Sequence, residues 1–236
     1  MIIDLIRVLA LALAIWSLPA SSERLWRTTS ALPELDAPPQ GSAQWIARSM
    51  RMNGLPMTLK VFQSRLSPEG VLAHYESKLQ SLGSHETRRM VNGPWRVLMF
   101  KSHDHFITIH ARPTLGGCEG TILVSPALAP AELQIRTAFP RPATTRIVNL
   151  QQYDDAGMQS EHISLSSERT PFVEAQAFSQ LLDLEGWTLI STRPTQETHR
   201  GFVLEAQRDA EHALLVILPD AVRPSSTAIV ITWKKS

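Results

Sequence analysis

The chain has 236 residues, 43% of them hydrophobic, with 23 Lys and Arg against 22 Asp and Glu. This excludes a disordered or fibrous chain, leaves room for one large domain or two modules of about 100 residues, and offers no bulk attraction for nucleic acid. The single cysteine, Cys118, excludes an intramolecular disulfide framework.

In chain order, the first element is an apolar run, VLALALAIWSL over residues 8–18, preceded by Arg7 and followed by Pro19, Ala20, Ser21 and Ser22. A cationic start, an apolar stretch and small residues ahead of a cut describe a secretory signal peptide over 1–22, cleaved before Glu23. Asp4 and Arg7 interrupt the roughly 20 apolar residues that an uncleaved membrane anchor requires. The expected location is therefore periplasmic or secreted, with retention by an uncleaved anchor as the alternative. Residues 23–44, with Pro33, Pro38, Pro39 and Gly41, read as a flexible lead.

The mature part reads as α+β, a tandem duplication of a β-α-β(3-4) module with one helix packed on each antiparallel sheet. The first module is expected over 45–125, a Pro-rich linker over 126–145 and the second module over 146–236. Two helices share a signature: Ser67-Pro68 matches Thr170-Pro171, Tyr75 matches Phe178, Leu79 matches Leu182 and Gly83 matches Gly186. Ser67 and Thr170 suit the helix cap, Pro68 and Pro171 the first turn, and the glycines the left-handed end. Strands are expected at Met57–Phe62 and around His162, each preceding its helix. A weak strand over 85–91 and one from Trp187 follow, then hairpins in which Trp95 is matched with Phe202 and His105 with His212. Last strands from Thr121 and Thr227 complete the modules, and 146–153 reads as an additional strand.

Chemistry is sparse. Ser102-His103-Asp104-His105 is the densest polar cluster, yet His110 has the opposite strand parity and a third ligand is missing, so neither a metal nor another cofactor is expected. Cys118 lies between glycines without a hydrolase signature, and no phosphate loop, dinucleotide fingerprint or zinc-protease helix is present. Charge is more informative. From 44 to 125 ten bases face five acids, a balance of +5, whereas from 146 to 236 eight bases face twelve acids, a balance of −4. Arg88, Arg89 and Arg96, with His103 and His105, are the candidate binding residues. They would meet an envelope protein or an anionic membrane surface, with no nucleic acid involved. The expectation is an exported, non-catalytic envelope adaptor or assembly factor. The alternatives are a periplasmic carrier of an apolar ligand held between helix and sheet, and a hydrolase.

Overall fold

The computed structural model describes residues 32–80, 86–128, 133–155, 158–195, 200–223 and 225–235. The signal-peptide reading of 1–22 lies outside the described residues. The elements are β1 Gly41–Met52, β2 Leu55–Ser64, α1 Pro68–Gln80, β3 Glu86–Asn92, β4 Trp95–Lys101, β5 His105–Thr114, β6 Gly117–Pro126, β7 Arg146–Asp155, β8 Met158–Ser167, α2 Pro171–Leu184, β9 Thr188–Pro194, β10 Phe202–Arg208, β11 Glu211–Pro219 and β12 Thr227–Lys235.

The expected α+β class is corrected. Of the described residues 57% are strand and 14% helix, and all twelve strands form one antiparallel sheet rather than two β-α-β(3-4) units. Its order is β3-β4-β5-β6-β2-β1-β7-β8-β12-β11-β10-β9. Each half of the chain contributes two strands, a helix and four strands, and the order reads alike in both directions from the β1/β7 seam. At that seam Met50 pairs with Tyr153 and Met52 with Gln151, and Asn53 binds Leu150 through both its backbone amide and its side-chain oxygen, each at 2.8 Å.

β1 was illegible for a physical reason. Its pairing with β2 shifts between Trp45 and Ala47 and again between Ala47 and Met50, so its inward residues lose the period of two that marks a strand. The supposed flexible lead also orders early. Leu35 is buried in the first core, Asp36 accepts the Tyr75 hydroxyl through its carbonyl at 2.8 Å, and the β1 strand begins at Gly41.

Both helices lie on one face. Arg51 stands opposite Pro56 in β2 and Gln152 in β7; Pro56 shares its face with Phe62 under α1, and Gln152 shares its face with Leu150 under α2. Burial of Val71, Leu72, Tyr75 and Leu79 holds α1 on β4, β5 and β6, while Ala175, Phe178 and Leu182 hold α2 on β9, β10 and β11. The second helix thus packs on its outermost strand, whereas the first reaches its own through the Arg89–Glu76 ion pair. Ser67 caps α1 by accepting the Gly70 amide at 3.2 Å, whereas Thr170 makes no side-chain cap. Gly186 closes α2 at φ +78°, a value that an L side chain rarely adopts. Among the described residues no helix is long and apolar enough to cross a membrane.

The opposite face differs between the halves. In the first, Met50, Met52, Met57, Leu59, Val97 and Leu123 are buried; in the second, Leu214, Leu218 and Val230 are exposed.

Candidate functional site

In the first half the flank between α1 and the outer strands is bridged by charge. Arg96 Nε donates to Glu69 Oε1 at 3.1 Å, and Arg89 pairs with Glu76. Three further bases are also occupied from within: Lys60 binds Glu34 at 2.7 Å, Lys78 binds Asp36 at 2.5 Å, and Arg112 Nε donates to Glu119 at 2.7 Å. Glu34 and Asp36 belong to the supposed lead, so including them lowers the excess of the first half from +5 to +3.

The five residues chosen from sequence do not converge. Arg89 and Arg96 face α1, while Arg88, opposite Met99, faces the other side of the sheet. His103 and His105 stand at the β4–β5 turn, at the far end of β4 from Arg96. His103 Nε2 lies 3.9 Å from Asp104, both side chains about two-thirds exposed, and the His105 backbone amide donates to Ser102 Oγ at 3.1 Å. His110 points to the helix-free face, 2% exposed, with Nδ1 3.1 Å from the Thr121 hydroxyl and its ring edge-on to Trp95. Burial holds its pKa down to about 4, so the ring is neutral at physiological pH. Cys118 is buried, which raises its thiol pKa and disfavours the thiolate a nucleophile needs. Among the described residues no group of three or more His, Cys, Asp and Glu is placed to hold a metal.

The second half has an open flank instead. Two adjoining depressions, of about 430 and 300 Å³, run between α2 and β9 and share Ser179 and Gln180. The first is lined by Asp183, Trp187, Thr188 and Leu189, the second by Phe172, Ala175, Gln176, Thr192 and Phe202. β9 is the last strand of the sheet, so among the described residues no strand pairs with its outer side. Its Ile190 is 52% exposed at an irregularity in the β9–β10 ladder.

Strand register explains why one flank is closed and the other open. Ser64 and Ser167 occupy equivalent places, each accepting the amide two residues on, from Leu66 and Arg169, at 3.1 Å. From them the row Ser64–Cys118–Pro113 matches Ser167–Thr227–Pro219. Two residues further in, Ala111 opposite Arg96 matches Ile217 opposite Phe202. Continuing outward, Arg89 opposite Leu98 matches Thr192 opposite Leu204. Helix positions counted from Pro68 and Pro171 match Glu69 with Phe172 and Glu76 with Ser179.

The Glu69–Arg96 bridge is therefore replaced by Phe172 against Phe202, ring centroids 6.0 Å apart, and the Glu76–Arg89 bridge by two short hydroxyl side chains, Ser179 and Thr192. Short side chains leave space where long ones met. Beneath the groove Trp187 is 3% exposed, with Phe139 edge-on at 5.4 Å and the Arg208 guanidinium 4.8 Å over its ring. Its indole N–H has no hydrogen-bond partner among the described residues.

Sequence reasoning missed this groove because it matched Trp95 with Phe202, one residue away from the true register partner, Arg96. A slip of one residue moves every side chain to the other face and hides the Glu/Arg to Phe/Phe exchange. No protein-family model, no curated protein and no solved structure matches this chain, and the groove is read on its own chemistry.

Proposed function

We propose that this protein is a non-catalytic adaptor or assembly factor of the cell envelope, and that it engages an extended segment of a partner protein along β9, beside α2. The observation that supports the reading is the loss of both ion-pair bridges on the second flank, which opens an apolar-floored groove next to an outer strand. An outer strand presents a row of backbone amides and carbonyls, and the occupant with matching groups at the same repeat is another extended chain. The groove beside it gives alternate side chains of that chain somewhere to pack. The rim of Gln176, Ser179, Gln180, Thr188 and Thr192 supplies uncharged hydrogen-bonding groups, as a partner interface uses around an apolar centre.

The basic first half is the weaker platform, because Arg89 and Arg96 are already committed to α1. A carrier of an apolar ligand between helix and sheet would need a cavity under Tyr75 or Phe178; both rings are fully buried, and neither depression is lined by them.

A photo-crosslinking residue at Gln180, in protein made by an exporting host, tests the proposal. It should form adducts with a discrete partner, and the same probe at Glu86 on β3 should not. Adducts at Glu86 alone would return the function to the basic edge.

A further inference from the structure

The groove has two chemically different ends, and we infer that it selects a peptide in which a large apolar side chain is followed, two residues later, by Lys or Arg. This inference rests on the strand-addition reading above. At one end lie Phe172, Ala175, Phe202 and the methyl of Thr192. Phe172 is 56% exposed although it touches Phe202, so an aromatic ring stands open to an apolar partner. At the other end Asp183 is the one charged side chain among the lining residues.

The carboxyl end of α2 lies beside Asp183. The last turn of α2 contains no basic residue, and the carbonyl end of a helix carries a partial negative charge. In α1 the corresponding turn carries Lys78, held by Asp36. One cation does meet the α2 end: Arg208 donates to the carbonyl of the C-cap residue Glu185 at 3.0 Å and to Glu211 at 3.1 Å, with its guanidinium over the Trp187 ring, so the helix end is partly offset and Asp183 is the charge the groove presents. The lining of the groove therefore carries an acid and no base.

Spacing and direction follow from the ladder. Leu189 stands opposite Ala206 and Thr192 opposite Leu204, so the irregularity at Ile190 makes them neighbours on one face of the sheet, one strand repeat apart. A repeat of that length separates residues i and i+2 of an added strand. Every strand pair in this sheet is antiparallel, and an added strand that continues the pattern runs against β9. Its chain then passes the Phe172 end first and the Asp183 end second, which gives the order apolar, any residue, cation.

Three blocked heptapeptides test this against isotopically labelled full-length protein at low salt: Ac-TTLTKTT-NH2, its Lys→Glu analogue and its Leu→Ser analogue. The first should shift the Ser191 and Thr192 amides. The Glu analogue should bind about tenfold more weakly, a reasonable swing between attraction and repulsion for an exposed charge pair. Asp183→Lys should reverse that preference. Equal binding of the Lys and Glu peptides, with β9 amides shifting for both, would overturn the selectivity and leave strand addition standing. No shift of any β9 amide with any of the three would overturn strand addition itself.

Discussion

The two flanks of the sheet share one strand order and carry opposite surfaces. On the first, Glu69–Arg96 and Glu76–Arg89 tie α1 to the outer strands; on the second, Phe172, Phe202, Ser179 and Thr192 fill the same places and leave a groove. Exposed ion pairs of this kind contribute little to stability, typically below about 1 kcal/mol. Exchanging them for apolar and small side chains is thus cheap for the fold and large for the surface. Four substitutions, with the ladder irregularity at Ile190, accompany the change from a closed flank to an open one.

The buried positions of the two halves differ as well, and they provide the largest expected effects. Val71 is fully buried in α1, and its counterpart in α2 is Glu174, also fully buried. Glu174 Oε1 accepts the hydroxyls of Ser167 at 2.7 Å and Thr144 at 3.2 Å, with Arg169 Nε 4.0 Å away, while Oε2 has no partner among the described residues. Val71→Glu places a carboxylate without those hydroxyls and should cost about 3–5 kcal/mol in urea unfolding, as for an uncompensated buried charge. The reverse exchange, Glu174→Val, removes a half-satisfied carboxylate and should change stability by less than about 1 kcal/mol. A loss from Glu174→Val as large as that from Val71→Glu would mean that the polar knot holds the second half together.

A pH titration comes next in size. His110 occupies the place of Val216, and burial depresses its pKa from 6.5 to about 4. The unfolded chain binds the proton first on acidification, so stability should be constant above pH 6.5 and fall between about 6.5 and 4, by roughly 3 kcal/mol in all. His110→Val should flatten that part of the profile. An unchanged slope would assign the acid sensitivity to other groups, among them His162, whose pKa burial also lowers, and the carboxylates. The smallest effect on stability is expected from converting the first flank into the second: Glu76→Ser with Arg89→Thr should lower stability by no more than about 1 kcal/mol, measured by thermal unfolding.

The helices were legible because their signals are local. Proline in the first turn, a glycine after the last and apolar residues at helical spacing need no knowledge of the partner strands. The single sheet was not, because nothing local distinguishes two six-stranded sheets from one that continues through β1 and β7. The ladder irregularities around Trp45 and Ala47 removed the alternation that would have exposed β1. The charge split was legible as residues but not as a surface, since Glu34 and Asp36 return from the lead to pair with Lys60 and Lys78. The groove was hidden by a single step of register. Arg96 and Phe202 can be recognised as counterparts only when the strand pairs are known.

Closing the open flank with the residues of the closed one tests the central claim most directly. Ser179→Glu with Thr192→Arg rebuilds the Glu76–Arg89 bridge across the groove, and Arg88→Glu with Arg89→Glu reverses the basic edge on β3. Affinity for Ac-TTLTKTT-NH2, measured on the native chain and both variants, should fall at least tenfold for the closed-groove variant and stay within twofold for the reversed edge, with all three proteins melting within a few degrees of one another. Native affinity in the closed-groove variant, or loss of binding only when Arg88 and Arg89 are reversed, would contradict the account.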